Sequence, residues 1–149
     1  MTPSRRLFDS IGTLVGTDSA NLDDAAGTHL HLAGAAFVPS LDLDITHLIE
    51  PSYPGYAAVP SGTAAPFVYY DSANGLYTVQ VQEPAGGWHF GCTSDPTDPA
   101  IIYGWFLTDH TDAFLLGSGL LNPQITVNRG GQAFDLPPMV FRFLNNSPN

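Results

Sequence analysis

The run Asp109-His110-Thr111-Asp112 packs two carboxylates and an imidazole into four residues, donors that suit calcium or a transition metal. A turn between two strands draws the same residue types for another reason, because Asp, Thr and His side chains bond to nearby backbone groups there. Asp109, His110 and Asp112 are therefore weak metal candidates and turn formers first, and the alternating oxygens and closing glutamate of an EF-hand loop are missing. His29 and His31 stand two apart, a spacing that zinc ligands on one strand face can take, with His47, His89 and His110 all eligible as a third ligand. No spacing selects among those three, and histidines on a solvated face or a subunit contact are the plainer reading. No metal and no cofactor is expected.

Catalytic signatures are equally sparse. Glu50 and Glu83 each precede a proline, a turn context, and nothing pairs them as the acid and nucleophile of a glycosidase. The sequence has no G-x-S-x-G elbow, no phosphate-binding Walker loop and no dinucleotide fingerprint; Gly117-Ser118-Gly119 reads as a bare turn. Cys92 is the single cysteine, which rules out an internal disulfide or a cysteine-rich zinc site and leaves a small core hydrophobe. Tyr53, Tyr56, Trp88 and Trp105 are rings that could stack on sugars, although core is the more frequent role for such residues. The expectation is a protein that is not an enzyme and has no catalytic residues.

The elements that must position these residues are strands. The chain has 149 residues, 44% of them hydrophobic, enough for one packed domain. Fifteen glycines and 13 prolines separate short apolar or alternating runs, the punctuation of an all-β chain. In THLHLAGAAF, from 28 to 37, Leu30 and Leu32 share one strand face and His29 and His31 the other. LDLDITHLIE, 41 to 50, alternates as a half-buried strand or as an extended segment lying on a core. Short strands follow at 53 to 59 and 66 to 71, and Asn74-Gly75 is a hairpin turn joining the latter to LYTVQVQE. GGWHFGC adds a strand and TSDPTDP a surface loop.

AIIYGWFLTD, 100 to 109, is apolar on both faces, with Ile101, Tyr103, Trp105 and Leu107 on one and Ile102 and Phe106 on the other. Such a segment is a central strand or lies against another subunit. AFLLGS, a strand through Ile125 and Val127, a Gly130-Gly131 turn and a last strand carrying Met139, Phe141 and Phe143 complete the pattern. The fold expected is an all-β, β-sandwich or jelly-roll-like single domain over 17–149, preceded by a short arm or helix over 1–16 in which Leu7, Ile11 and Leu14 recur at helical spacing.

Charge narrows the partners. Four Lys+Arg against 14 Asp+Glu give −10, and every cation is an arginine, with Arg5-Arg6 the one adjacent pair. Nucleic acid and anionic membrane surfaces are poor partners for that balance. No apolar run approaches a membrane span, and Asp9 and Ser10 interrupt the stretch a signal peptide would keep apolar, so the cytosol is the expected place of synthesis.

Two stretches carry a resemblance. The segment 28 to 59, with the His29 to Leu32 strand, the Leu41 to Ile45 run, Glu50 and Gly55-Tyr56-Ala57, resembles small virion structural proteins of tailed bacteriophages. The segment 100 to 143 is similar to the C-terminal half of the same proteins, in Tyr103-Gly104-Trp105-Phe106-Leu107-Thr108-Asp109, a Leu-Leu strand and a glycine turn before a final hydrophobic strand. Residues 60 to 99 match nothing in them, and Pro137-Pro138 breaks what should be a plain last strand.

The resemblance implies a capsid cement, or decoration, protein on the virion surface, made in the host cytoplasm, with a minor tail or neck protein as the alternative. Its implied partners are the major capsid protein and further copies of itself as a dimer or trimer, with Arg5, Arg6, Leu7 and Trp105 as contact residues. A receptor- or glycan-binding β-sandwich is the reading from another class.

Overall fold

The computed structural model describes residues 2–3, 28–62, 67–71 and 73–144. Among these residues ten strands run in order: β1 (Thr2–Pro3), β2 (Thr28–Ala33), β3 (Val59–Pro60), β4 (Phe67–Asp71), β5 (Leu76–Gln80), β6 (Trp88–Gly91), β7 (Ala100–Asp109), β8 (Leu115–Val127), β9 (Ala133–Leu136) and β10 (Val140–Leu144). They form antiparallel sheets of order β1-β8-β7-β2-β3, β10-β5-β4 and β6-β9. The one helical piece among the described residues is a 3-10 turn, Ile45–His47, started by the Asp44 carboxylate accepting from the Thr46 N–H. The chain is thus an all-β single domain. The helix expected over residues 4 to 15, the boundary at 16/17, and Arg5, Arg6 and Leu7 lie outside the described residues.

All three sheets contribute to one core. Leu30 and Leu32 of β2, Trp105 and Leu107 of β7, Trp88 and Phe90 of β6, Leu136 of β9, Phe141 of β10 and the free thiol of Cys92 pack together. The opposite face of the large sheet has its own cover. Ala33, Phe106 and Leu115 are buried there beneath Phe37, Leu43, Ile45 and Leu48 of the segment that follows β2. Burial on both faces is why β7 reads as continuously apolar. Of the two forms the alternation in 41 to 50 allowed, the segment is no strand but a cover that lays Leu43, Ile45 and Leu48 on the sheet while Leu41 and Ile49 stay exposed.

A bulge alters the phase of β7. Ile102 pairs with Ile125 and Gly104 with Leu120, so the ladder is irregular around Tyr103. Ile102 therefore joins Trp105 and Leu107 in the main core, while Ile101 turns outward and is 39% exposed. Strict alternation puts Ile101 with Trp105, but the ladder carries five steps of β8, Leu120 to Ile125, against two of β7, Ile102 to Gly104, and the faces of β7 exchange across that irregularity. Gly117-Ser118-Gly119 is likewise not a turn. It lies inside β8, where Gly119 faces Trp105 and Ser118 faces Phe106 in the ladder, and β1 pairs along its other side.

The glycines there serve close approach. A Cβ on Gly119 would stand 2.6 Å from the Trp105 indole, and one on Gly104 would stand 2.2 Å from the Gly119 carbonyl oxygen.

The hairpin at Asn74-Gly75 forms as expected, with Gly75 at φ 63 and β4 pairing with β5. Of the segment 53 to 59, only Val59 is in a strand. Pro137-Pro138 separates β9 from β10 and carries the chain from the two-stranded sheet to the three-stranded one. Gly104→Ala is expected to cost about 1–3 kcal/mol through backbone overpacking, read as a lowered midpoint in chemical denaturation at unchanged slope.

Candidate functional site

The β2–β7 register places Thr28 opposite Asp109, His29 opposite Thr108 and His31 opposite Phe106. Both histidines therefore reach the end of the large sheet where β7 turns into β8. Asp109 holds that turn: its carboxylate accepts from the N–H groups of Ala113 and Phe114 at 2.9 Å each, and from the Thr111 hydroxyl. Burial pushes its carboxyl up, but these bonds outweigh it and hold the carboxyl below the usual range. Asp109 is thus the turn former that the sequence suggested.

Asp112 has a different task. At φ 56 it occupies the left-handed region that aspartate tolerates better than most residues, and this aims its side chain back over β2. Its Oδ1 accepts from the Thr108 hydroxyl at 2.7 Å, from His29 Nδ1 at 2.7 Å and from His31 Nε2 at 3.0 Å. Burial raises the Asp112 carboxyl, and the bonds from Thr108, His29 and His31 together overcome that and lower it. The His31 ring lies flat on Phe106, with centroids 4.7 Å apart and 6° between planes, while its Nδ1 is 3.2 Å from the Glu50 carboxylate.

His29, His31 and Asp112 are the group whose donor atoms converge, all within 4.8 Å of one another. The structure thus joins the two motifs that the sequence offered separately. It selects Asp112 as the third donor rather than His47, His89 or His110, and it leaves Asp109 in the turn. His89 is instead paired with Asp135 across β6 and β9 at 2.7 Å. Sequence reading joined neither Thr108 nor Glu50 to this group, since only the β2–β7 register and the return of the cover segment bring them to His31.

The chain Glu50, His31, Thr108 has the order of an acid, a base and a nucleophile, with His31 Nε2 3.1 Å from the Thr108 hydroxyl. Thr108 is fully buried and gives its proton to Asp112, so no substrate carbonyl can reach its oxygen.

The aromatic candidates are mostly interior. Trp88, Trp105 and Tyr53 are buried, and Trp105 at 7% exposure is no contact surface: its indole lies over Gly119 in the core. Tyr56 is half-buried and its hydroxyl accepts from the Leu32 N–H at 3.1 Å, standing in for the strand that β3 is too short to supply. Burial, with the Glu50 carboxylate beside it, raises the Tyr56 phenol strongly, and burial raises Tyr53 to about 12. Tyr53 borders an open groove of about 790 Å³ between the segments 50–54 and 96–103, with Tyr103, Asp98 and Glu50 also on its walls.

No family model, curated protein or solved structure matches this chain. No helix of the described residues is long and apolar enough to cross a membrane.

The two tyrosines separate cleanly under mutation. The Tyr53 hydroxyl is buried without a partner, so Tyr53→Phe should be neutral or slightly stabilising, whereas Tyr56→Phe orphans the Leu32 N–H and should cost about 1–3 kcal/mol in urea unfolding. A phenol whose folded pKa is raised stabilises fully below the unfolded value, about 10, and loses that contribution as pH rises through the folded value. Stability should therefore fall between pH 10 and 12, and fall less in Tyr53→Phe, as followed by thermal melts across that range.

Proposed function

We propose that this chain is a bacteriophage virion structural protein of the cement type, which binds the outer capsid shell and bridges neighbouring capsomers. One observation carries the reading. Among the residues whose side chains are described, the six exposed large hydrophobics are Val38, Leu41, Ile49, Ile101, Phe114 and Leu120. All six fall inside the two stretches, 28 to 59 and 100 to 143, that carry the virion-protein resemblance.

Those two stretches also supply β2, β7, β8 and Val59 of β3 in the large sheet together with its cover, and β9 and β10 in the two smaller sheets. Exposed apolar residues on a strongly acidic chain suit burial against other protein rather than against nucleic acid.

The mechanism is mass action. A domain that binds only the assembled shell stabilises that state by its binding free energy, repeated at every site, and a dimer or trimer multiplies weak contacts into a strong one. Arg5 and Arg6 would pair with carboxylates on a neighbouring copy or on the shell.

The groove beside Tyr103 supports a second reading, a glycan- or receptor-binding module, with Tyr103 as the stacking ring and the nearby carboxylates as hydroxyl acceptors. Co-sedimentation with shells of the phage that encodes the chain separates the two. The cement reading expects saturable pelleting, lost in Val38→Asp and Leu120→Asp while light scattering and circular dichroism show unchanged folding and oligomeric state. Chain left in the supernatant, together with glycan-array binding that Tyr103→Ala removes, would overturn it.

A further inference from the structure

We infer that His29, His31 and Asp112 form a binding site for one divalent transition metal of the Zn2+ class, which goes beyond the virion role and does not depend on it. Two neutral imidazoles and a carboxylate are a donor set of borderline softness, suited to zinc and its first-row neighbours rather than to calcium or magnesium. His29 Nδ1 and His31 Nε2 both point at the same carboxylate oxygen, at 2.7 and 3.0 Å. Tetrahedral zinc at about 2.0–2.2 Å from each ligand holds its donor atoms roughly 3.4 Å apart. Binding a cation thus asks the two nitrogens to move slightly away from the carboxylate oxygen, while donors as far as 4.8 Å apart draw closer around the ion.

A second observation points the same way. His31 Nδ1 is buried and without a hydrogen-bond partner, although the Glu50 carboxylate lies 3.2 Å away. With the ring proton on Nε2 for Asp112, a bare nitrogen lone pair faces that carboxylate in a desolvated position. With a metal on Nε2, the proton moves to Nδ1 and Glu50 becomes its acceptor, the carboxylate–histidine–metal arrangement that fixes ligand tautomers elsewhere.

Thr108 already donates to Asp112 Oδ1, which anchors the third ligand from inside the sheet, and Phe106 holds the His31 plane. The position is reachable from solvent, since the Asp112 and His29 side chains are 47% and 27% exposed while that of His31 is 5%. Three protein donors leave at least one coordination position for water or for a donor from another molecule.

The full chain, stripped of metal, should be titrated with ZnCl2 in competition with a chromophoric chelator, and with CoCl2 followed by visible absorption. The expected result is one equivalent bound per chain with a Co2+ ligand-field band. His29→Ala and Asp112→Asn should weaken binding by more than the roughly 10–100-fold that loss of a supporting partner costs, and Glu50→Ala should fall within that range.

Both ligand variants sit at the exposed side of the site, and circular dichroism would confirm that they fold, so buried His31 need not be replaced. His89→Ala, which removes the exposed pair with Asp135, should change nothing. Failure of the wild-type chain to bind either ion at millimolar concentration, or binding that survives His29→Ala, would overturn the inference. Shell binding that persists in His29→Ala would leave the virion role intact whichever way the metal titration falls.

Discussion

The pairing of β7 with β2 on one side and β8 on the other is the constraint from which the rest of the molecule follows. A ten-residue strand in the middle of a sheet has both faces to cover, and this sequence covers them by different means. One face packs on the smaller sheets, with Trp88, Phe90 and Phe141 opposite Trp105 and Leu107. The other is closed by the irregular stretch after β2, which lays Phe37, Leu43, Ile45 and Leu48 on Phe106. The same register that satisfies the apolar residues sets His29 beside Thr108, so the polar cluster follows from the sheet's pairing rather than from any local motif.

Much of the architecture was legible because its signals are local. Alternation in THLHL separated the leucines from the histidines correctly, the Asn-Gly pair marked a hairpin, and an apolar run without polar alternation marked the central strand. Errors arose where the deciding contact is remote. The faces of β7 exchange across the register shift at Tyr103, and beside it Gly104 and Gly119 bring two backbones unusually close, which neither glycine announces. Gly117-Ser118-Gly119 looked like a turn because small residues favour turns, yet here they make room for an indole and for a strand on each side.

The polar cluster was half legible for the same reason. Residue type singled out His29, His31 and Asp112, and spacing could not join them, since 81 residues separate His31 from Asp112. Glu50 gave even less away, because a glutamate before a proline reads as loop chemistry until the cover segment returns it to β2. That return is fixed by the bond from the Gly34 N–H to the Ile49 carbonyl at 2.7 Å, so one backbone contact places the carboxylate beside the imidazole.

The unequal covering of the two faces also divides the molecule kinetically. Sheet packed on sheet must separate along a cooperative front, whereas a segment with one short helical turn and few ladder bonds can lift as a unit of its own. Amides of β2 and β7 would then exchange at rates set by global opening, and those between Gly34 and Leu48 at rates set by the lid alone. His31 sits on the boundary between these two regimes, held by the sheet through Thr108 and Asp112 and faced by the lid through Glu50.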